Sequence, residues 1–149
     1  MSQSVSMNGF TVREVAWADA ETSLATIRRQ VFVVEQHVPE ALEWDGLDND
    51  AIHLLATAAD GTAIGCARIL EQGRIGRMAV LEAWRGHGVG RLLLQSAIAS
   101  CRTSNWRDIT LSAQTHALDF YARAGFVVCS EEYLDAGIPH RDMKLNLSD

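Results

Sequence analysis

The sequence predicts an α/β fold: a mixed central sheet flanked by helices. Three observations carry that expectation. Short apolar runs bounded by turn residues alternate with stretches of helical periodicity. Three of those runs follow one another between Ile52 and Val80, as a meander does. The last of them, ending Met78-Ala79-Val80, leads into a turn with glycines at 86, 88 and 90 and then into an amphipathic helix.

Taken in order, residues 1–8 read as a flexible tail ahead of a single domain over 9–149. Phe10–Val15 alternates as a first strand. Asp19 or Thr22 offers a cap for a helix whose Leu24, Ile27, Val31 and Val34 form one apolar stripe. That helix must stop before Pro39, because the residue preceding a proline is pushed away from helical backbone angles. Val38–Asp50 is acidic and irregular, with Glu40, Glu43, Asp45, Asp48 and Asp50. Counting from Asp45, a calcium loop of the EF-hand kind would need Gly at the sixth place and Glu at the twelfth; neither is there. The segment reads as a solvated loop with Asx turns, or as a loop lending negative potential to a substrate. Strands follow at 52–58, 62–70 and 74–80, joined by Asp60-Gly61 and Gln72-Gly73 turns. A helix over 88–104, a strand over 107–111, a helix over 115–124 capped by Gly125, and strands over 126–130 and 141–147 complete the order β-α-β-β-β-α-β-α-β-β.

Bulk composition removes several function classes. A chain of 149 residues fits one ordinary domain. No apolar run approaches the eighteen or so residues that would span a bilayer, and Met1-Ser2-Gln3-Ser4 lacks the basic start and apolar core of a secretory signal, so a cytoplasmic protein without membrane attachment is expected. The formal charge of −6 opposes nonspecific nucleic-acid binding and suits a cationic or amine-bearing partner. Cys66, Cys101 and Cys129 are odd in number and widely spaced, the pattern of buried thiols rather than of disulfides or a zinc knuckle; no metal is expected.

The glycine turn is the chemically informative stretch. Glycines there allow positive φ and close approach of a ligand, and the first amides of the following helix have no carbonyl partners, so the turn is a seat for a phosphate or pyrophosphate. A nucleoside-triphosphate loop is excluded because the chain has no Gly-Lys pair. Gly86, Gly88 and Gly90 give G-x-G-x-G rather than the dinucleotide spacing, whose acidic partner would have to be Asp108. Arg85, Gly88 and Gly90, after the strand Arg77-Met78-Ala79-Val80, resemble the Arg/Gln-x-x-Gly-x-Gly/Ala signature of the GNAT N-acetyltransferases. Gln114–Phe126, with Ala117, Tyr121, Gly125 and Phe126, is similar to that family's Asn-x-x-Ala-x-x-hydrophobic-Tyr-x-x-x-Gly-Phe element, with Gln114 where Asn is usual. The likeness covers residues 10 to 147. Arg28–Gln36, Glu43–Asp48, His53, Gly137–His140 and Met143 resemble the ElaA-like branch.

The resemblance implies a GNAT fold and acetyl-CoA as co-substrate. The pyrophosphate would rest on the amides of Gly86, His87, Gly88, Val89, Gly90 and Arg91, with Arg85 and Arg91 adding charge. The pantetheine arm would pair with the edge of Met78, Ala79 and Val80, whose amides would stabilise the oxyanion, and Gln114 would make a further contact. Tyr121 matches the tyrosine taken as general acid at the cofactor sulfur. For the base, Glu35 and His140 lead, ahead of His116; His53 reads as structural. Trp44 and Trp84 are candidate walls of the acceptor pocket. The expected activity is N-acetylation of a small-molecule or peptide amine in a ternary complex, by a possible homodimer. A non-catalytic acyl-CoA-binding regulator and an acyltransferase using another acyl-CoA are the alternatives; the Arg-x-x-Val-Phe segment is also similar to acyl-homoserine-lactone synthases.

Overall fold

The computed structural model describes residues 4–7 and 9–148, with side chains of residues 6 and 7 outside the description. Among the described residues nine strands form one sheet, in the order β1-β2-β3-β4-β5-β6-β9-β7 with β8 paired to β9. β1 (Ser4–Met7) and β2 (Phe10–Val15) are antiparallel, Val5 opposite Val12. The expectation of a tail over 1–8 is therefore corrected for residues 4–7. The edge of β2 left free by β3 supplies the backbone partners that hold them.

α1 (Trp17–Arg28) begins two residues ahead of Asp19, with Ala16 in the cap position and no side chain bonded to the helix end. Neither expected cap is used, and Ala20 breaks the helical angles at φ −133°. From Arg29 to Glu35 the helix widens to π geometry, and the Gln36 amide reaches back five residues to the Val31 carbonyl at 3.1 Å. The wider turn rotates the apolar stripe. Leu24, Ile27 and Val31 stay buried while Val34, expected beside them, is 54% exposed. The helix ends before Pro39, as the sequence requires, and a single turn, α2 (Glu40–Glu43), follows.

β3 (Ile52–Ala58), β4 (Ala63–Leu70) and β5 (Arg74–Val80) are the expected meander. Leu70 pairs with Arg74, so Glu71, Gln72 and Gly73 form a three-residue hairpin loop, with Gln72 and Gly73 at positive φ, 72° and 84°. α3 (Val89–Thr103) returns the chain along the sheet to β6 (Asp108–Gln114). It buries Val89, Leu93, Ala97 and Cys101 at three- and four-residue spacing, with Leu92 and Leu94 beside them. Each large aliphatic buried this way contributes roughly 1.5–3 kcal/mol.

α4 (Leu118–Ala122) is shorter than expected because Thr115–Ala117 forms a separate 3₁₀ turn. Gly125, at φ 102°, stops it. β7 (Val127–Val128), β8 (Tyr133–Asp135) and β9 (Ile138–Asn146) finish the sheet. β8 is absent from the sequence-based order. An Ala136-Gly137 turn with φ 53° and 77° folds it onto β9. Two cores lie on opposite sheet faces: one gathers around α3, the other around Leu24, Ile27 and Val31 of the first helix with Leu55, Cys66 and Ala79. Cys66 and Cys101 are buried as expected, whereas Cys129 is exposed.

Candidate active site

The site begins where two strands part. β5 and β6 run parallel and pair at Arg74–Thr110 and Ile75–Leu111, and no further. β5 continues to Val80 and β6 to Gln114 unpaired with each other. The cause is visible on β5's other edge. Its register against β4 shifts between Cys66 and Arg68, and Arg77 takes φ 46°, an uncommon angle for a residue with a side chain. The bulge leaves a gap between β5 and β6. A cavity of about 950 Å³ fills that gap and opens at its mouth. Met78, Ala79 and Val80 line one wall, Leu111, Ser112 and Gln114 the other.

At the mouth, Gly86 and Gly88 hold φ 81° and 87°, where a side chain would be strained. The first intrahelical bond there is from the Leu92 amide to the Gly88 carbonyl, 3.1 Å. The amides of Val89, Gly90 and Arg91 therefore face outward without helical acceptors. Gly90 and Arg85 line the cavity itself; Gly86, His87, Gly88 and Arg91 are exposed beside it. The Val89 side chain is buried in the core. Arg85 is already committed: its Nε donates to the Val80 carbonyl at 3.0 Å, and its Nη1 and Nη2 donate to Glu35 at 2.6 and 2.8 Å. His87 packs on Trp84, which in turn meets Phe10.

Tyr121 reaches the cavity from α4, its hydroxyl 3.9 Å from the Met78 sulfur. Burial pushes its phenol up to about 12. Glu35 also lines the cavity, but the Arg85 fork holds its carboxyl below the usual range. A carboxylate so held is a poor proton acceptor. His140 is in a different situation. It is 9% exposed, stacks on Tyr133, and its Nδ1 lies 2.7 Å from the Ile138 carbonyl. A carbonyl only accepts, so Nδ1 donates its proton to Ile138, and His140 lines the cavity.

Gln114 is tied down within the protein, donating to Gln36 at 2.8 Å and accepting from His116 at 2.7 Å. Its side chain joins the first helix to β6 instead of standing free for a cofactor. His53, buried at 1%, bonds the Asp48 carbonyl through Nε2 at 2.9 Å and stacks on Trp17; desolvation lowers its pKa, which keeps it neutral and structural. Neither Trp44 nor Trp84 lines the cavity. Trp44 lies beneath the guanidiniums of Arg28 and Arg29, 5.1 and 5.2 Å from its centroid.

The acidic segment is a correction of a different kind. Glu43 and Asp48 are buried and, with Asp45, are held by arginines, while Glu40 and Asp50 stay exposed as the solvated-loop reading expects. Arg28 binds Glu43 at 2.8 Å and Asp48 at 2.7 Å, Arg68 binds Asp45 at 2.8 Å and Asp48 at 3.1 Å, and Arg77 meets Glu43 at 2.9 Å and Asp45 at 3.2 Å. Three arginines and three acids cancel in a network that pins the loop against β4 and β5. The Asx turn expected there does exist, Asp45 Oδ1 accepting the Leu47 amide at 3.1 Å. The sequence offered no view of a further cluster, Ser112, Tyr133 and Asp142, because it depends on the unforeseen β8. The Ala136-Gly137 pair between Tyr133-Leu134 and Ile138 was the one signal of that hairpin.

Residues 10–147 match the family model described as "Acetyltransferase (GNAT) domain". The chain belongs to the GNAT acetyltransferase family. It is 38% identical over 130 residues to Protein ElaA of Escherichia coli, covering 81% of this chain and 84% of that one. It is 36% identical over 121 residues to an uncharacterized N-acetyltransferase, YjcF, of Bacillus subtilis, covering 78% and 86%. The crystal structure of an acyl-CoA N-acyltransferase from Pseudomonas aeruginosa superposes with TM-score 0.81 at 35% identity over 91% of this chain and 98% of the other. This GNAT domain thus has the expected mixed sheet flanked by helices, with β5 and β6 parted beyond Ile75 and Leu111. Among the described residues no group of three or more His, Cys, Asp or Glu is placed to hold a metal, and no helix is long and apolar enough to cross a membrane.

Proposed function

We propose that this acetyltransferase moves the acetyl group of acetyl-CoA to a primary amine by direct attack within a ternary complex. The observation that carries the reading is the parted β5–β6 pair, with the unpaired amides of α3 at its mouth and the Tyr121 phenol inside. These residues fit the co-substrate. The Val89, Gly90 and Arg91 amides would hold the pyrophosphate, and a Cβ at Gly90 would project toward Phe120 and Val80 on the cavity wall. The edge of Met78–Val80 would pair with the amides of the pantetheine arm.

Bound there, acetyl-CoA supplies an activated acyl group and a thiolate leaving group. Tyr121 stays protonated at neutral pH and donates to the sulfur; the burial that raises its pKa also makes a thiolate in the same cavity more basic. His140 accepts a proton at Nε2 from the attacking nitrogen while its Nδ1–H holds the ring on Ile138. No covalent enzyme intermediate is needed, since the amine is itself the nucleophile.

The test is thiol release from acetyl-CoA across a panel of small amines, amino acids, polyamines and lysine peptides. Turnover with at least one amine and none without enzyme is expected. Binding of acetyl-CoA with no release across the panel would make the chain a binding module and overturn the reading.

A further inference from the structure

The cavity wall opposite β5 carries a hydrogen-bonded chain with a fixed direction. Tyr133 Oη is 2.5 Å from Asp142 Oδ1 and in contact with Ser112 Oγ. The register of the sheet assembles it. Ser112 and Asp142 are cross-strand partners on β6 and β9, and Tyr133 is the β8 partner of His140, two residues from Asp142 on the same face. Ile109, Leu111 and Ala113 turn the other way into the core, so this face of β6 is the polar one.

The direction follows from counting protons. A carboxylate only accepts, so the single Tyr133 hydroxyl proton goes to Asp142. Ser112 must then give its own proton to Tyr133. Its oxygen keeps lone pairs to offer, and Ser112 lines the cavity. His140 spends its Nδ1 proton on Ile138, which leaves Nε2 as the ring nitrogen open to a ligand. Ser112 and His140 sit diagonally across β6 and β9, about 7–8 Å apart between Cα atoms. With the ring in its Nδ1–H tautomer, Ser112 Oγ and His140 Nε2 are both acceptors, and both residues line the cavity. Such a place favours a group rich in N–H and poor in lone pairs.

From this arrangement we infer that Ser112 Oγ and His140 Nε2 form the seat of the acceptor's amino group, and that Tyr133 and Asp142 are positioning residues that keep Ser112 in its accepting orientation. The inference rests on the acetyl-transfer reading and deepens it by placing the amine: the nitrogen docks with at least two N–H bonds, one toward each acceptor. A hydroxyl or an unprotonated tertiary amine offers too few. Nearby charged groups on the same face are Arg74 and Lys144, with Asp135 at the cavity's edge. None of them is a hydrogen-bond partner of Ser112 among the described residues.

The experiment is steady-state kinetics on the full chain with the amine that releases thiol fastest. Tyr133→Phe, which leaves the Ser112 proton free to turn into the cavity, should raise the amine KM roughly tenfold or more. Ser112→Ala should do the same, and Ser112→Thr, which keeps the hydroxyl, should restore the wild-type value. Acetyl-CoA affinity, read by calorimetry, should be unchanged in all three. An amine KM that Tyr133→Phe and Ser112→Ala leave alone, while wild type turns over, would overturn the amine seat without touching acetyl transfer. An equal loss of acetyl-CoA affinity would reduce these residues to a structural role and overturn it too. If wild type binds acetyl-CoA and releases no thiol with any amine, the acetyl-transfer reading falls and the seat falls with it.

Discussion

The carboxylate of Glu35, at the end of the first helix, lies 2.6 and 2.8 Å from the two terminal nitrogens of Arg85, fifty residues further along the chain. The pair fastens the helix end to the glycine turn and takes up the charge of both partners. It also speaks against Glu35 as the base, since the fork lowers its carboxyl pKa. Glu35→Gln should keep kcat within about threefold, against the roughly hundredfold loss that follows removal of a general base. His140→Ala should show that larger loss, and kcat of the two variants measured side by side decides between them.

Tyr121→Phe removes the proposed proton donor with little change in shape. Its kcat should fall about a hundredfold or more while acetyl-CoA affinity stays. Because burial raises the phenol to about 12, the group remains protonated until well above its ordinary 10. Wild-type kcat should therefore show no loss from this residue between about pH 7 and 10, a window in which an unshifted tyrosine would begin to ionise. A pH–rate profile of the two proteins checks both statements.

Two glycines at the proposed cofactor seat should separate backbone strain from ligand approach. Gly88 holds φ 87°, so Gly88→Val should cost about 1–3 kcal/mol of stability as well as acetyl-CoA affinity. Gly90 is helical, and a Cβ there would meet Phe120 at 3.5 Å and Val80 at 3.7 Å, ordinary contact distances. Gly90→Ala should keep or slightly raise Tm while weakening acetyl-CoA binding. Thermal denaturation and calorimetry on both variants test the contrast.

Arg28 is buried to 1% with Glu43 and Asp48 as its partners. Arg28→Met leaves both carboxylates under the fold with their shares of Arg77 and Arg68 alone. The loss should be about 3–5 kcal/mol in urea denaturation, the cost of breaking a buried ion pair from one side.

The same network should govern acid stability. Burial by itself would raise the Asp45 carboxyl; hydrogen bonds from Arg68 and the Leu47 amide, with the charges of Arg68 and Arg77, bring it down to about 2 from its ordinary 3.8. As pH falls, the unfolded chain takes up this proton first. Asp45's contribution is therefore whole above about pH 4 and lost between about pH 4 and 2. Asp45→Asn should be less stable than wild type at pH 6 and lose less on acidification across that window, measured by denaturant midpoints.

Much of this was written in local patterns. The turns at Asp60-Gly61 and Gln72-Gly73, the α3 stripe from Val89 to Cys101 and the glycine turn ahead of it are short-range features, and each stands where its residues place it. The family likeness was legible for the same reason, since its motifs are contiguous. Val34 was misplaced because a π turn changes the helical period, and periodicity arguments assume that it is constant.

What the sequence determined by itself, then, is most of the order of elements and the glycine turn with its unpaired helix amides, because hydrophobic period, glycine φ and helix ends act over a few residues. Tertiary structure alone decided which charges are free. Glu43, Asp45 and Asp48 read as a solvated acidic loop until Arg28, Arg68 and Arg77 arrive from three other elements, and Ser112 gains its orientation only when β8 carries Tyr133 over Asp142. A side chain's charge is fixed by its chemistry, but its availability is set by partners that only the folded sheet brings within 3 Å.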